Sequence, residues 1–141
     1  MTFTLFGRWQ IRVLLLSTVG LILTIAIAIK SSSNITGQTL ITLIYLGGFG
    51  LIWDFGYHLI QRLRWDGDWN GLLQLAGAVW EGLFLLMIIK SIGLPGIDQP
   101  NFNISGFIGF YTLLSSLNFV ASNSILRILS PYSRFNGGQW F

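Results

Sequence analysis

The sequence predicts an all-α integral membrane protein, a bundle of four transmembrane helices. Hydrophobic residues make up 52% of the chain and charged residues only 9%, whereas about a quarter of the residues in a soluble domain are charged. Four apolar runs long enough to cross a bilayer are separated by polar segments or by segments that contain Gly and Pro. The 141 residues leave no room for a separate soluble domain, so we expect a single transmembrane domain.

The expected spans follow the apolar runs in order. Residues 13–29 form a run near the lower length limit, after an amphipathic segment with Phe6 and Trp9 that can lie at the membrane surface. A cleaved signal peptide is the competing interpretation, but no small-residue cleavage pattern follows Ile29, so we predict a retained first helix. The four predicted spans are residues 10–29, 39–60, 70–89 and 104–126, followed by a C-terminal tail, residues 127–141.

The basic residues predict the orientation. Only Lys30 and Lys90 fall on one side of the expected membrane. Six arginines fall on the other side: Arg8, Arg12, Arg62, Arg64, Arg127 and Arg134. Because cytoplasmic loops carry an excess of Lys and Arg, we expect both termini and the central turn in the cytoplasm. Basic residues that occur singly or in pairs at span ends form no binding stripe, so we expect no nucleic-acid partner.

Several kinds of chemistry lack the residues that they need. The chain has no cysteine, which excludes disulfides, thiolate metal sites and a cysteine nucleophile. The glycines at residues 47–50 lie inside an apolar run, where close helix packing explains them better than a phosphate-binding loop does. An intramembrane hydrolase would need a serine and a histidine at the same depth, and only Ser122 and His58 come near to this. The pattern gives an intramembrane hydrolase little support. We therefore predict that the protein is not an enzyme and carries no cofactor.

Small and polar residues recur at helical spacing in each span, and in lipid such residues mark the faces that pack together. The expected helix-packing residues are Ser17, Gly20, Gly47, Gly50 and Gly77. An antiparallel alignment about the central turn places Asp54 level with Gly77 and Glu81 level with Gly50. Ser17 and Asn118 join the Asp54 layer, and Tyr57 and His58 fall level with Gln74.

Asp54 and Glu81 are the sharpest functional signals, because a carboxylate inside a membrane span is costly and usually marks function. We expect burial to keep both carboxyl groups neutral. One interpretation is a proton or cation relay in which Asp54 and His58, one helical turn apart, pass protons inward. The structural interpretation is a pair of hydrogen-bonded carboxyl groups that fix the helix register. Gln74 and Asn118 complete the set of intramembrane polar candidates.

His58 is the only histidine. It is a candidate relay residue or an axial ligand to haem or chlorophyll, and simple hydrogen bonding is the structural alternative. Bis-histidine haem ligation within one chain is excluded by the count alone.

The central turn resembles half of a calcium-binding loop. Asp66, Asp68 and Asn70 follow the alternating D-x-D-x-N-G pattern that supplies oxygen ligands to a divalent cation. Gly77 stands at the twelfth position, where such a loop requires a glutamate. A tight Asp-Gly turn followed by an N-cap residue explains the same letters.

Taken together, these patterns predict a small structural, assembly or accessory component of a membrane complex. Its partners are the lipid bilayer and other copies or other membrane proteins, and the aromatic tail at residues 135–141 favours such contacts. The alternative is a small proton- or cation-coupled transporter or conducting bundle that uses Asp54, His58 and Glu81. Beyond Glu81 the third span has no polar residue before Lys90, which weakens that alternative.

Overall fold

The computed structural model describes residues 4–30, 33–65, 70–125 and 128, and within these ranges it is helical with no strand. The helices are α1 (Leu5–Leu15), a π-helical turn (Leu16–Gly20), α2 (Leu21–Lys30), α3 (Ser33–Leu63), α4 (Gly71–Ser91), α5 (Ile104–Val120) and a second π-helical turn (Ala121–Ile125). Four segments are long and apolar enough to cross a membrane: Leu5–Lys30, Gly37–Leu63, Gly71–Ser91 and Ile104–Ser124. The predicted all-helical fold with four spans is confirmed.

The first span begins earlier than its apolar run indicates. α1 starts behind Thr4, whose hydroxyl accepts a hydrogen bond from the Gly7 amide at 3.1 Å and so caps the helix. Phe6 and Trp9 therefore lie within the first span, not in a separate surface segment. The longer helix also carries Arg12 a full two turns from the helix start, into the bundle.

The π-helical turn at Leu16–Gly20 changes which face of the first span points inward. Leu15, Gly20 and Thr24 are buried, and the step from Leu15 to Gly20 is five residues, the spacing of a π-helix. Ser17 falls inside this turn, where it is exposed and donates to a carbonyl of its own helix. The prediction that Ser17 packs inward is wrong, because it continued an α-helical period through the turn.

The segment between α4 and α5 is folded back onto the helix ends. Gly93 and Gly96 adopt φ values of +78° and +87°, which favour glycine, and Gly93 follows the end of α4 as a helix-terminating residue. Gln99 Nε2 donates to the Ile89 carbonyl at 2.9 Å and satisfies one of the free acceptors at that helix end. The bundle end nearest this segment is termed the loop end.

An apolar cluster is buried toward the loop end. It consists of Leu43, Leu46, Leu85, Ile89, Ile97, Phe107, Phe110 and Leu114. Ile89 is 0% exposed, and Leu85 and Leu114 are 1% exposed, so the centre of this cluster is closely packed. A cavity of about 890 Å³ lies at the same end and is bordered by Ile97, Phe107 and Phe110 of the cluster. The other half of the bundle, nearest to the end of α3 and the start of α4, is termed the turn end, and most of the polar side chains that face the interior lie there.

Candidate functional site

One arginine and two carboxylates meet in the middle of the bundle. Asp54 on α3 and Glu81 on α4 are buried, and the guanidinium group of Arg12 on α1 lies between them. Arg12 Nε donates to Asp54 Oδ2 at 2.7 Å, and Nη2 donates to Asp54 Oδ1 at 2.8 Å. Nη1 and Nη2 donate to the two oxygens of Glu81, each at 2.8 Å. These three residues are termed the ion cluster.

The ion cluster lies far from both ends of the helices. Glu81 is ten residues from Gly71 and ten from Ser91, the first and last residues of α4, which corresponds to about 15 Å on each side. An isolated charge at this depth is costly, and buried charges are therefore paired. The structure places both acids in ion-pair contact with Arg12, a partner that the expectation of two neutral carboxyl groups did not include.

Gly50 leaves the space through which Arg12 reaches the two acids. A Cβ atom at position 50 would lie 2.7 Å from Arg12 Cζ and 3.1 Å from Arg12 Cδ, whereas ordinary contacts begin near 3.4 Å. We had expected this glycine to serve the approach of α3 to Glu81 on α4. Its closest neighbour is instead a side chain from a third helix.

A second arginine balances the charge of the site. Arg8 lies one turn before Arg12, is buried, and donates through Nη2 to Gln61 Oε1 at 2.5 Å. It also attracts Asp54 electrostatically. Two arginines therefore face two carboxylates, and the group as a whole carries no net charge when all four are ionised.

A cavity of about 180 Å³ borders the ion cluster on the side of the turn end. All four charged residues contribute to its wall. Its polar lining residues are Tyr57, Gln74, Tyr111, Ser115, Asn118, Ser122 and Asn123. Apolar side chains, among them Leu15, Leu75 and Phe119, supply most of the remaining surface. The arrangement provides a largely apolar chamber with charged and hydrogen-bonding groups at one place on its wall.

Hydrogen bonds within the wall of the cavity join neighbouring helices. Gln74 on α4 donates through Nε2 to Ser122 Oγ at 2.8 Å, and Asn123 Nδ2 donates to Gln74 Oε1 at 3.0 Å. Tyr57 on α3 donates its hydroxyl to the Gly77 carbonyl of α4 at 3.1 Å. The polar groups of this wall thus fix α4 relative to α3 and to the C-terminal end of the fourth span.

The predicted relay residues are only partly brought together. Asp54 and Glu81 share the ion cluster, and Gln74 and Asn118 line the cavity. Asn118 Oδ1 is buried and has no hydrogen-bond partner among the described residues. His58 does not border the cavity, and its buried Nδ1 likewise makes no hydrogen bond within the described ranges. The inward position on that turn of α3 belongs to Tyr57, one residue earlier.

The predicted depth alignment of α3 and α4 is displaced by about one helical turn. Tyr57, not Asp54, contacts Gly77, and a Cβ atom at position 77 would lie 3.2 Å from the Tyr57 ring. Asp54 and Glu81, predicted to lie in adjacent layers, accept from the same Nη2 atom of Arg12. The alignment assumed helix ends at residues 61 and 70, and α3 in fact continues to Leu63.

The remaining predicted residues have separate locations. Gly20 packs against Leu43, whose Cδ1 would lie 2.7 Å from an added Cβ atom, whereas Gly47 has only an ordinary contact with Leu16 at 3.6 Å. Asn70 accepts from the Leu73 amide at 3.0 Å and caps α4.

The other two residues of the predicted calcium loop, Asp66 and Asp68, lie outside the described residues, as does the aromatic tail. The described part of the chain contains no group of three His, Cys, Asp or Glu residues placed to hold a metal ion.

Arg12 was not among the predicted site residues, because an arginine at the end of an apolar run is expected to lie at the membrane surface. Two signals pointed to it. The apolar run of residues 13–29 is short for a span, so the helix had reason to extend toward Arg12. Two acids inside spans also require a cationic partner, and Arg12 and Arg127 are the basic residues on the same side that directly adjoin an apolar run.

Comparisons with protein-family models, with curated proteins and with solved structures find no match for this chain.

Proposed function

We propose that this protein is a small, non-enzymatic structural or accessory subunit of a membrane protein complex. The observation that carries the proposal is the outward face of α5. Half of its exposed positions are small residues: Ser105, Gly106, Gly109, Thr112 and Ser116. The other half are large and apolar: Ile104, Ile108, Leu113, Leu117 and Val120. The exposed positions of α4 are mostly large and apolar: Leu72, Leu75, Val79, Trp80, Leu83 and Met87, with Ala76 among them. The outward faces of α4 and α5 therefore differ in the size of their side chains, and we expect them to contact different partners.

Large apolar side chains suit contact with lipid, whereas small residues allow another helix to approach closely. Contacts within this chain do not require a glycine at position 109, because a Cβ atom added there would meet nothing within 4 Å. Gly50 differs in this respect, because a side chain at position 50 would occupy the space that Arg12 fills. Ser105 and Gly106 contact Asn103 at the start of α5, so the internal packing explains them. A partner helix on α5 would account for Gly109, which has no such contact.

The ion cluster supports the same proposal. Arg12 joins α1 to α3 and α4 through four hydrogen bonds to carboxylates. Such a site holds three helices in one relative arrangement, which is what a scaffold or assembly subunit needs from its fold.

Small-scale purification in a mild detergent tests the proposal. We expect the wild-type protein to elute as part of a larger complex or oligomer. Gly109→Leu should release it, because the bulky side chain separates the two helices. The matched control is Ala76→Leu on the outward face of α4, which should leave the complex intact. A wild-type protein that is strictly monomeric and co-purifies with nothing would refute the proposal.

The proposed orientation keeps both termini and the central turn in the cytoplasm. Arg8 and Arg12 no longer count as surface charges, so the bias falls from six against two to four against two, in the same direction. A reporter fused to the C-terminus should behave as cytoplasmic. Accessibility of the segment after Lys30 from that same side would contradict the orientation.

A second candidate function, proton- or cation-coupled transport through Asp54, His58 and Glu81, draws on one observation. The cavity reaches two of these residues from the turn end. At the loop end a second cavity of about 890 Å³ is bordered by polar residues such as Gln38, Thr42 and Asp98, but none of the three candidate relay residues lines it. His58 lines neither cavity. Proton flux in proteoliposomes, compared between wild type and Glu81→Gln, tests this candidate. Equal flux in both would exclude the glutamate as a relay.

A further inference from the structure

We propose that the cavity at the turn end binds a small, uncharged, mostly apolar molecule that carries one hydrogen-bond acceptor, such as a carbonyl group. This site is independent of the proposed partner contact, because the outward face of α5 and the cavity lie on different sides of that helix. Three properties of the cavity lead to this class of ligand: its charge balance, the nature of its wall and the donors left on Arg12.

The charges of the wall exclude an ionic ligand. When all four groups are ionised, the two positive charges of Arg8 and Arg12 equal the two negative charges of Asp54 and Glu81. The other titratable side chains on the wall are Tyr57 and Tyr111, whose hydroxyls donate to backbone carbonyls of α4. An added ion would enter a balanced site without a counter-charge and would lose its hydration, which is strongly unfavourable. An uncharged ligand avoids both losses.

The wall itself favours an apolar body. Ligand pockets are typically lined by hydrophobic and aromatic side chains with few polar groups, and this cavity has that composition. The space of about 180 Å³ is many times the 10–15 Å³ that one water molecule requires. The turn end therefore holds volume that the chain does not fill. A second, larger cavity of about 890 Å³ lies at the loop end, but the ion cluster does not border it.

The donor for the polar end of the ligand is Arg12. A guanidinium group has five N–H bonds, and Asp54 and Glu81 accept four hydrogen bonds from it, which leaves one N–H on Nη1. The Arg12 side chain is 19% exposed, against 5% for Asp54 and 9% for Glu81. All three members of the ion cluster border the cavity, and Arg12 is the most exposed of them. A carbonyl oxygen can accept from it without disturbing either ion pair.

Benzophenone is a suitable probe, because it is an uncharged diaryl ketone that also attaches covalently to nearby C–H bonds under near-ultraviolet light. We expect saturable labelling of the full-length protein in lipid nanodiscs, with the labelled peptides mapping to the cavity. Diphenylmethane, which lacks the carbonyl group, should compete about tenfold less well than benzophenone does. This difference is expected because diphenylmethane cannot accept the hydrogen bond from Arg12. The anion 4-benzoylbenzoate should not compete.

Two matched pairs of variants locate the site. Ala78 lines the cavity and Ala76 is exposed on the same helix, so Ala78→Phe should abolish saturable labelling and Ala76→Phe should not. If Ala78→Phe fails to fold, Ser115→Leu replaces it, because Ser115 also lines the cavity. Ala76→Leu, on the outward face of α4, is then the control.

Three results would overturn the proposal. The first is labelling that does not saturate in the wild-type protein. The second is equal labelling of the cavity variant and its exposed control. The third is competition by 4-benzoylbenzoate as strong as that by benzophenone, which would show that charge balance does not govern the site.

Discussion

Replacing Gly50 with alanine tests whether Arg12 depends on the absence of a side chain at that position. The added Cβ atom would lie 2.7 Å from Arg12 Cζ, about 0.7 Å inside the 3.4 Å at which ordinary contacts begin. Either the guanidinium group moves away from Asp54 and Glu81 or α1 moves away from α3. Overpacking of this kind costs about 1–3 kcal/mol. The displaced ion pairs can only add to that cost.

Gly48→Ala is the matched control, because the same helix carries it and an added Cβ atom there meets nothing within 4 Å. Alanine is intrinsically better than glycine in a helix by about 0.8–1 kcal/mol, and this gain applies at both positions. It therefore cancels in the comparison. We expect Gly50→Ala to have a free energy of unfolding lower than that of Gly48→Ala by about 1–3 kcal/mol.

Unfolding in mixed micelles of increasing dodecyl sulfate content, followed by the fluorescence of the six tryptophans, measures this difference. A second comparison tests whether Arg12 causes this difference in the free energy of unfolding. In an Arg12→Ala background the contact is gone, so the difference between Gly50→Ala and Gly48→Ala should vanish. Equal stabilities of the two alanine variants in the wild-type background would show that Arg12 does not cross α3 at Gly50, and the description of the ion cluster would be wrong.

Three further predictions use the same unfolding assay. Arg12→Met should lower the free energy of unfolding by about 3–5 kcal/mol, because it leaves two carboxylates buried without a counter-charge. Adding Asp54→Asn and Glu81→Gln to that variant should recover part of the loss, and strictly additive losses would contradict the pairing. Gly50→Leu and Gly77→Leu should each destabilise the protein more than Asp54→Asn or Glu81→Gln does. The reason is that an amide keeps the shape of the acid and one of its hydrogen-bond acceptors. The reverse order would indicate that the acids function in their charged form. Finally, Gly77→Ala should cost less than Gly50→Ala, because its closest contact is 3.2 Å with an aromatic ring; a larger loss at Gly77 would be the contrary result.

The sequence was sufficient for the number and approximate position of the spans, because those depend on apolar composition alone. The second span illustrates this: residues 39–60 were expected, and the structure has Gly37–Leu63. Composition does not reveal helix phase through an irregular turn. That is why Ser17 was placed inward and why Leu16–Gly20 could not be anticipated.

The candidate site was half predictable. Asp54 and Glu81 stood out because acids are rare within spans, and their burial follows from that. Arg12 did not stand out, since an arginine near the end of an apolar run is expected at the membrane surface. The choice between Tyr57 and His58 as the inward residue depends on a rotation of about 100° about α3, which is one residue of helix. Periodicity alone does not resolve a single residue.

The position of the ion cluster along the chain also has a consequence for biosynthesis. Arg12 is made first, Asp54 follows 42 residues later, and Glu81 follows 69 residues later. At translation rates of about 5–20 residues per second, Arg12 exists for roughly 3 to 14 s before the ribosome has added Glu81. During that interval the nascent first helix carries a cation that lipid does not tolerate well. Its first carboxylate partner, Asp54, is made with α3 and its second, Glu81, with α4, so the ion cluster can be complete only after α4 has been synthesised.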